Sequence, residues 1–181
     1  MLIRITGQLT ITDLPPRAAP APPDELAWLV EKGRARTSQV VRNKVVDLGL
    51  SGMSRLIGFG LNTPDVTNGV QTFGVVDIND LLISAMTFGD LNAPTAPTAA
   101  DFELEDPTTL TSVTPVASYP GDAVVRWQGV IPANTLTGEQ VTEECLFMAN
   151  GALFARTTFA AEVILAGMAK QFDHDFTITE A

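Results

Sequence analysis

The groups able to do chemistry in this chain fall into three clusters. Asp173, His174 and Asp175 form the one carboxylate and imidazole cluster, and His174 is the only histidine. Metal binding or acid-base work needs these side chains to converge, yet consecutive residues of a strand point to opposite faces. His174 is therefore expected as a partly buried side chain satisfied by a neighbouring carbonyl or a subunit contact. Asp101, Glu103, Glu105 and Asp106 make a denser acidic segment, DFELED. It offers hard oxygen ligands for calcium but lacks an Asp-x-Asp-x-Asp-Gly loop. It reads instead as an edge strand or extended loop whose acids discourage stray pairing. Cys145 follows Glu143 and Glu144. Carboxylates beside a thiol disfavour the thiolate, so Cys145 is expected as a small core residue.

Counting removes most catalytic arrangements. A single cysteine makes no internal disulfide, and a single histidine makes no multi-histidine metal site. There is no Gly-x-Ser-x-Gly elbow. Gly58 and Gly60, in IGFGLN, lack the third glycine and the Lys-Ser/Thr pair of a phosphate loop. The expectation is no catalytic residue, no cofactor and no metal. With 21 acidic residues against 11 basic ones, the net charge of -10 argues against a phosphate-binding surface, so no nucleic acid partner is expected. The start, MLIRITGQLT, has no basic segment leading into a long apolar one. No apolar run approaches the roughly 18 residues of a membrane span. A soluble chain with no export address and no membrane partner is expected.

Charge is uneven along the chain. From Met1 to Gly60 eight basic residues face five acidic ones, whereas from Leu61 to Ala181 three face sixteen. One reading is a solvated acidic surface that opposes self-association. The other is that the basic first third of one copy meets the acidic body of another copy or of a neighbouring protein. Trp28, in DELAWLVEKG, sits beside a proline-rich stretch with Leu26, Leu29 and Val30 around it. It suits an aromatic anchor onto another subunit, or equally a cover for its own domain's core. Arg34, Arg36, Arg42 and Lys44 are candidates to meet acidic patches across such a contact, which high salt would then weaken.

These residues need elements to hold them, and 181 residues at 45% hydrophobic are enough for a sizeable core. Residues 2 to 11, LIRITGQLTI, alternate as a half-buried strand. LPPRAAPAPPDE carries five prolines from Pro15 to Pro23 and reads as an extended linker or arm. Between Val40 and Phe59, Val41, Val45, Leu48, Met53, Leu56 and Ile57 fit a helical period, which predicts a short amphipathic helix with irregularity at Gly49 and Gly52. Strands are predicted over 72–77, 81–88, 110–117, 122–131, 141–148, 152–160 and 171–179. Asn150-Gly151 is the strongest hairpin signal and fits a type I′ turn. The expected fold is mainly β, an antiparallel β-sandwich of jelly-roll-like or Greek-key type with one covering α-helix and an extended N-terminal arm. The division expected is a strand plus Pro/Ala-rich arm over 1–39 and a β-sandwich domain over 40–181.

The order of motifs resembles a family of small tailed-bacteriophage virion proteins, the tail, tail-collar or fibre-related proteins. The likeness runs over about residues 40 to 181. It rests on RNKVVDLGLSGMSRLIGFG, the Thr/Pro/Ala loop Asn92 to Asp101, the segment Val141 to Glu144, the hairpin Leu146 to Phe159 and the closing strand Phe172 to Thr179. The most specific piece is the hairpin centre Leu153, Phe154, Ala155 and Arg156. Cys145 stands where the family commonly has glycine, and the closing strand lacks the family's usual aromatic between its last alternating residues.

The resemblance implies a non-enzymatic structural component of a tailed-phage virion, assembled in the bacterial host cytoplasm. Several copies would act as a tail, collar or fibre-attachment protein. Its partners would be other copies of itself, as a homo-oligomer, and neighbouring virion proteins. Phe154 and Arg156 join Trp28, Arg34, Arg36, Arg42 and Lys44 as subunit-contact candidates. A capsid decoration or cement protein is the first alternative. A carbohydrate-binding receptor module is the second, with one tyrosine and two tryptophans to support it.

Overall fold

The alternation at the start of the chain becomes a strand in which Leu9, Ile11 and Leu14 are fully buried. The computed structural model describes residues 3–46, 49–50, 52–53, 65–69, 71–105 and 109–180. In chain order the elements are β1 (Ile3–Leu14), α1 (Pro23–Glu31), β2 (Arg36–Val45), β3 (Val66–Thr67), β4 (Thr72–Phe73), a 3-10 turn (Ile78–Leu81), β5 (Ile83–Gly89), β6 (Thr111–Val113), β7 (Val116–Gly121), β8 (Val124–Ile131), β9 (Gln140–Met148), β10 (Leu153–Val163) and β11 (Ala169–Glu180). The protein is mainly β, with antiparallel sheets and, among the described residues, α1 as its one fully bounded α-helix, in keeping with a β-sandwich.

Two compact units divide the chain. Unit 1 comprises Met1–Arg42, Pro115–Val141 and Phe159–Ala181, and unit 2 comprises Asn43–Thr114 and Thr142–Thr158. Each unit is built from distant segments that strand pairing joins. β1 pairs antiparallel with β11 over its whole length, from Ile3 opposite Glu180 to Leu14 opposite Ala169. In unit 1 the strand order is β10-β2-β1-β11-β8-β7, and in unit 2 it is β6-β5-β9-β10-β2, so β2, β10 and the start of β9 give residues to both.

The helix predicted between Val40 and Phe59 is met only in part. Val40 to Val45 belong to β2, a strand in which Ala155 opposes Val45 and Arg156 opposes Lys44. Further along, Gly49, Leu50, Gly52 and Met53 are helical, while 47, 48, 51 and 54–59 lie outside the described residues. The α-helix proper starts at Pro23, whose fixed φ suits the first helical position, with Asp24 and Glu25 favourably placed against the helix dipole. Its end is a Schellman motif: Gly33 takes φ +66°, its N–H donates to Val30 O at 3.0 Å, and the Arg34 N–H donates to Leu29 O at 2.8 Å. Leu26 and Leu29, three apart, turn toward Leu14, Ala21, Ala35, Val130 and Ala169.

The proline-rich stretch before this helix bends at Pro15–Pro16 and again at Ala18–Ala19 and is held by its own unit. The Ala21 N–H donates to Gln171 Oε1 at 2.7 Å, and Arg17 pairs with Glu25 at 3.0 Å.

The Asn150-Gly151 signal does mark the turn between β9 and β10, but the turn is not type I′. Only Gly151 has positive φ, +87°, where I′ needs two such residues. The Gly151 N–H donates to Met148 O at 2.9 Å and the Met148 N–H donates to Ala152 O at 2.8 Å. That is a three-residue loop, a type I turn closed by a left-handed glycine. Asn150 contributes by its side chain: Oδ1 accepts from the Ala152 N–H at 3.0 Å, and Nδ2 donates to Gly74 O at 3.2 Å.

Candidate functional site

The most concentrated polar chemistry lies in unit 2, on the β9–β10 hairpin. Residues of β9 from Val141 to Cys145 and of β10 from Leu153 to Thr157 are buried without alternation, so both faces of the hairpin are covered. A covered hairpin forces any charge it carries to find partners inside. Arg156, 2% exposed, meets three carboxylates. Its Nε donates to Glu143 at 2.9 Å, Nη1 to Asp101 at 2.8 Å and Nη2 to Glu105 at 2.7 Å.

The acids arrive on the loop after β5, and two threonines hold them. The Thr95 N–H and hydroxyl both donate to Glu105, at 2.6 and 2.7 Å, and the Thr98 N–H donates to Asp101 at 3.1 Å. Burial pushes the Asp101 carboxyl up, but the Thr98 hydroxyl and the Arg156 guanidinium outweigh it and leave it below the usual carboxylate range. Glu105 is lowered too, first by Thr95 and then by Arg156. Burial opposes the charge on Arg156, yet Asp101, Glu143 and Glu105 together raise its pKa above the ordinary guanidinium value. The arrangement is a closed ion cluster that pins loop 95–105 to the hairpin. An open pocket of about 390 Å³ lies against it, lined by Thr95, Thr98, Asp101, Glu103, Glu105 and Arg156 among others.

Sequence reasoning placed Arg156 and the acids of DFELED separately and did not join them. The available signal was the repeated Pro-Thr-Ala at Pro94-Thr95-Ala96 and Pro97-Thr98-Ala99, which sets one threonine for each acid. Of the edge strand or extended loop expected for DFELED, the chain over 101–105 is a loop, and Asp106 lies outside the described residues.

The other contact candidates divide by exposure. Trp28 is 46% exposed, with the Arg34 guanidinium 5.6 Å from its ring centroid, a cation–π distance. Arg34, Arg36, Arg42 and Lys44 are also exposed, and no carboxylate partner is recorded for them among the described residues. Phe154, only 4% exposed, and Arg156 are buried in this chain, because both faces of their hairpin are covered.

The closing strand separates its acids from its histidine, as alternation requires. His174 is fully buried and stacks on Phe176, ring centroids 4.8 Å apart. Asp175 pairs with Arg126 through both carboxylate oxygens. Asp173 accepts from Gln128 at 2.9 Å and from Gln171 at 2.8 Å, and burial, only partly offset by these bonds, raises its pKa. Cys145 is fully buried, and burial and then Glu144 push its thiol well above the ordinary value. Among the described residues no three His, Cys, Asp or Glu side chains are grouped to hold a metal ion. Nor is any described helix long and apolar enough to cross a membrane.

Fold and site define a mainly β protein of antiparallel sheets with its densest ion cluster closed inside one unit. No family model, curated protein or solved structure matches the chain.

Proposed function

We propose that this chain is a non-enzymatic structural component of a tailed-phage particle, acting in several copies as a tail, collar or fibre-attachment protein. The motif order of residues 40–181 supplies the family. The observation that carries an assembly role is the contrast between satisfied and unsatisfied charge. Arg156, Arg126 and Lys170 are each held by carboxylates of their own unit. Arg36 and Arg42 stand exposed with no recorded carboxylate partner among the described residues, near in sequence to the exposed Trp28. Cations and a large aromatic left at a surface suit a contact with an acidic partner. The dispersal of Asp173, His174 and Asp175 to separate partners supports the non-enzymatic part of the reading.

Quantitative mass spectrometry of purified particles, after heads and tails are separated, tests it. Low copy number in the tail fraction is expected. Enrichment in heads near the abundance of the major capsid protein would make the chain a decoration or cement protein instead. Absence from both fractions would overturn the virion reading.

A further inference from the structure

Unit 2 holds three large aliphatic side chains in water within seven residues: Val76 at 89% exposure, Ile78 at 55% and Leu82 at 52%. Such a cluster is ordinarily tolerated on a floppy loop, but this segment is pinned. The N–H groups of Val76 and Asp77 both donate to Asp80 Oδ2, and Asp77 caps the 3-10 turn through the Asn79 N–H. The hairpin turn adds three bonds, from the Asn150 N–H to Asp80 O, the Ala149 N–H to Leu82 O and Asn150 Nδ2 to Gly74 O. The apolar groups are thus held outward by a rigid backbone, which lowers the entropy lost when a partner covers them. Their surroundings are acidic, since unit 2 carries eleven carboxylates against Lys44, Arg55 and Arg156.

Unit 1 offers the complement. An open pocket of about 530 Å³ is rimmed by the exposed aliphatics Val163, 41%, and Leu165, 47%, together with Arg36. At its floor Lys170, 2% exposed, is already spent on Asp13 at 2.9 Å and Glu162 at 2.7 Å. The pocket therefore sets Ala160, Val163 and Leu165 beside polar groups and Arg36, which has no carboxylate partner among the described residues, while the projecting segment presents aliphatics flanked by Asp77 and Asp80. We infer that Val76 and Ile78 of one copy dock, with Asp77 toward Arg36, into the Arg36–Val163–Leu165 pocket of a second copy. The contact joins different surfaces of the two copies, so repetition builds a ring or an open row and not a closed dimer. This deepens the assembly reading above and rests on it.

Analytical ultracentrifugation of the full chain tests the contact with two variants at exposed positions. One is the double substitution Val76→Asp with Ile78→Asp, and the other is Arg36→Glu with Leu165→Asp. The wild type is expected to form concentration-dependent oligomers that shrink at high salt, and each variant alone is expected to stay monomeric. Mixing the two variants is the deciding step, because each keeps the half the other lacks. The mixture is expected to form one-to-one dimers and nothing larger, a result that misfolded variants cannot produce. A wild type that stays monomeric, variants that still oligomerise, or a mixture that stays monomeric would each overturn this contact. None of these alters the particle measurement, so the two ideas fail separately.

Discussion

Arg156 Nε lies 2.9 Å from Glu143 Oε2, and the Glu143 side chain is wholly inaccessible to water. The two residues lie on the two strands of the β9–β10 hairpin, and the same guanidinium reaches Asp101 and Glu105 on the loop after β5. One buried cation therefore neutralises a buried acid and ties down a loop.

Removing that cation strands Glu143. Arg156→Met is expected to destabilise the protein by about 3–5 kcal/mol, the usual cost of leaving one partner of a buried pair uncompensated. Adding Glu143→Gln to it should recover part of the loss, since the remaining group is neutral. Urea unfolding of the two variants checks this, and equal losses would show that the pair is not coupled.

Acid should loosen the loop. Asp101 and Glu105 are held below their ordinary values of 3.8 and 4.5, so the folded state binds these protons less readily than the unfolded chain. Their contribution is fully present above the ordinary carboxylate range and is lost as pH falls through their lowered values. Unfolding midpoints measured from pH 6 down to pH 3 should fall most steeply below about pH 4.5. Asp101→Asn with Glu105→Gln should be less stable at pH 6 and flatten that slope.

Asp173 carries the opposite sign. Burial raises its pKa above the ordinary 3.8, so its ionisation costs stability as pH rises from that value through the raised one. Asp173→Asn keeps an oxygen to accept from Gln128 and Gln171. It is expected to stabilise the protein at pH 7, with the gain vanishing below about pH 4. A loss of stability that is the same at both pH values would contradict this account.

The buried thiol gives a simple probe. Cys145 is fully buried with its pKa pushed up, so a thiol reagent at pH 8 should leave the native protein unmodified and label one group per chain in denaturant. Rapid labelling of the native protein would show that the β9–β10 hairpin opens.

Gly49 is set by close approach. A Cβ there would sit 2.1 Å from the Phe154 carbonyl oxygen, and a backbone atom cannot swing aside as a side chain can. Gly49→Ala should therefore destabilise by on the order of 1–3 kcal/mol despite alanine's better helix propensity. Thermal unfolding measures it, and a neutral or stabilising result would reverse the packing argument.

What could be read from residue order was the β content. Alternation over 2–11, 122–131 and 171–179 produced β1, β8 and β11, because a side-chain period of two is a local property. The first part of the predicted helix, over 40–45, is strand for an equally local reason. Val41 and Val45 are four apart, a spacing that shares one face of a helix and also one face of a strand, so β2 looked helical until its pairing with β10 resolved it. The prolines before α1 hid a helix that Pro23, Asp24 and Glu25 in fact begin. Of the site, sequence supplied the charged members but not their union. Asp101 and Arg156 are 55 residues apart, and only the return of the chain beside the β9–β10 hairpin brings them to 2.8 Å. Burial then decided their role, since charges that read as solvated in the sequence become obligatory partners once the hairpin carrying one of them is covered on both faces.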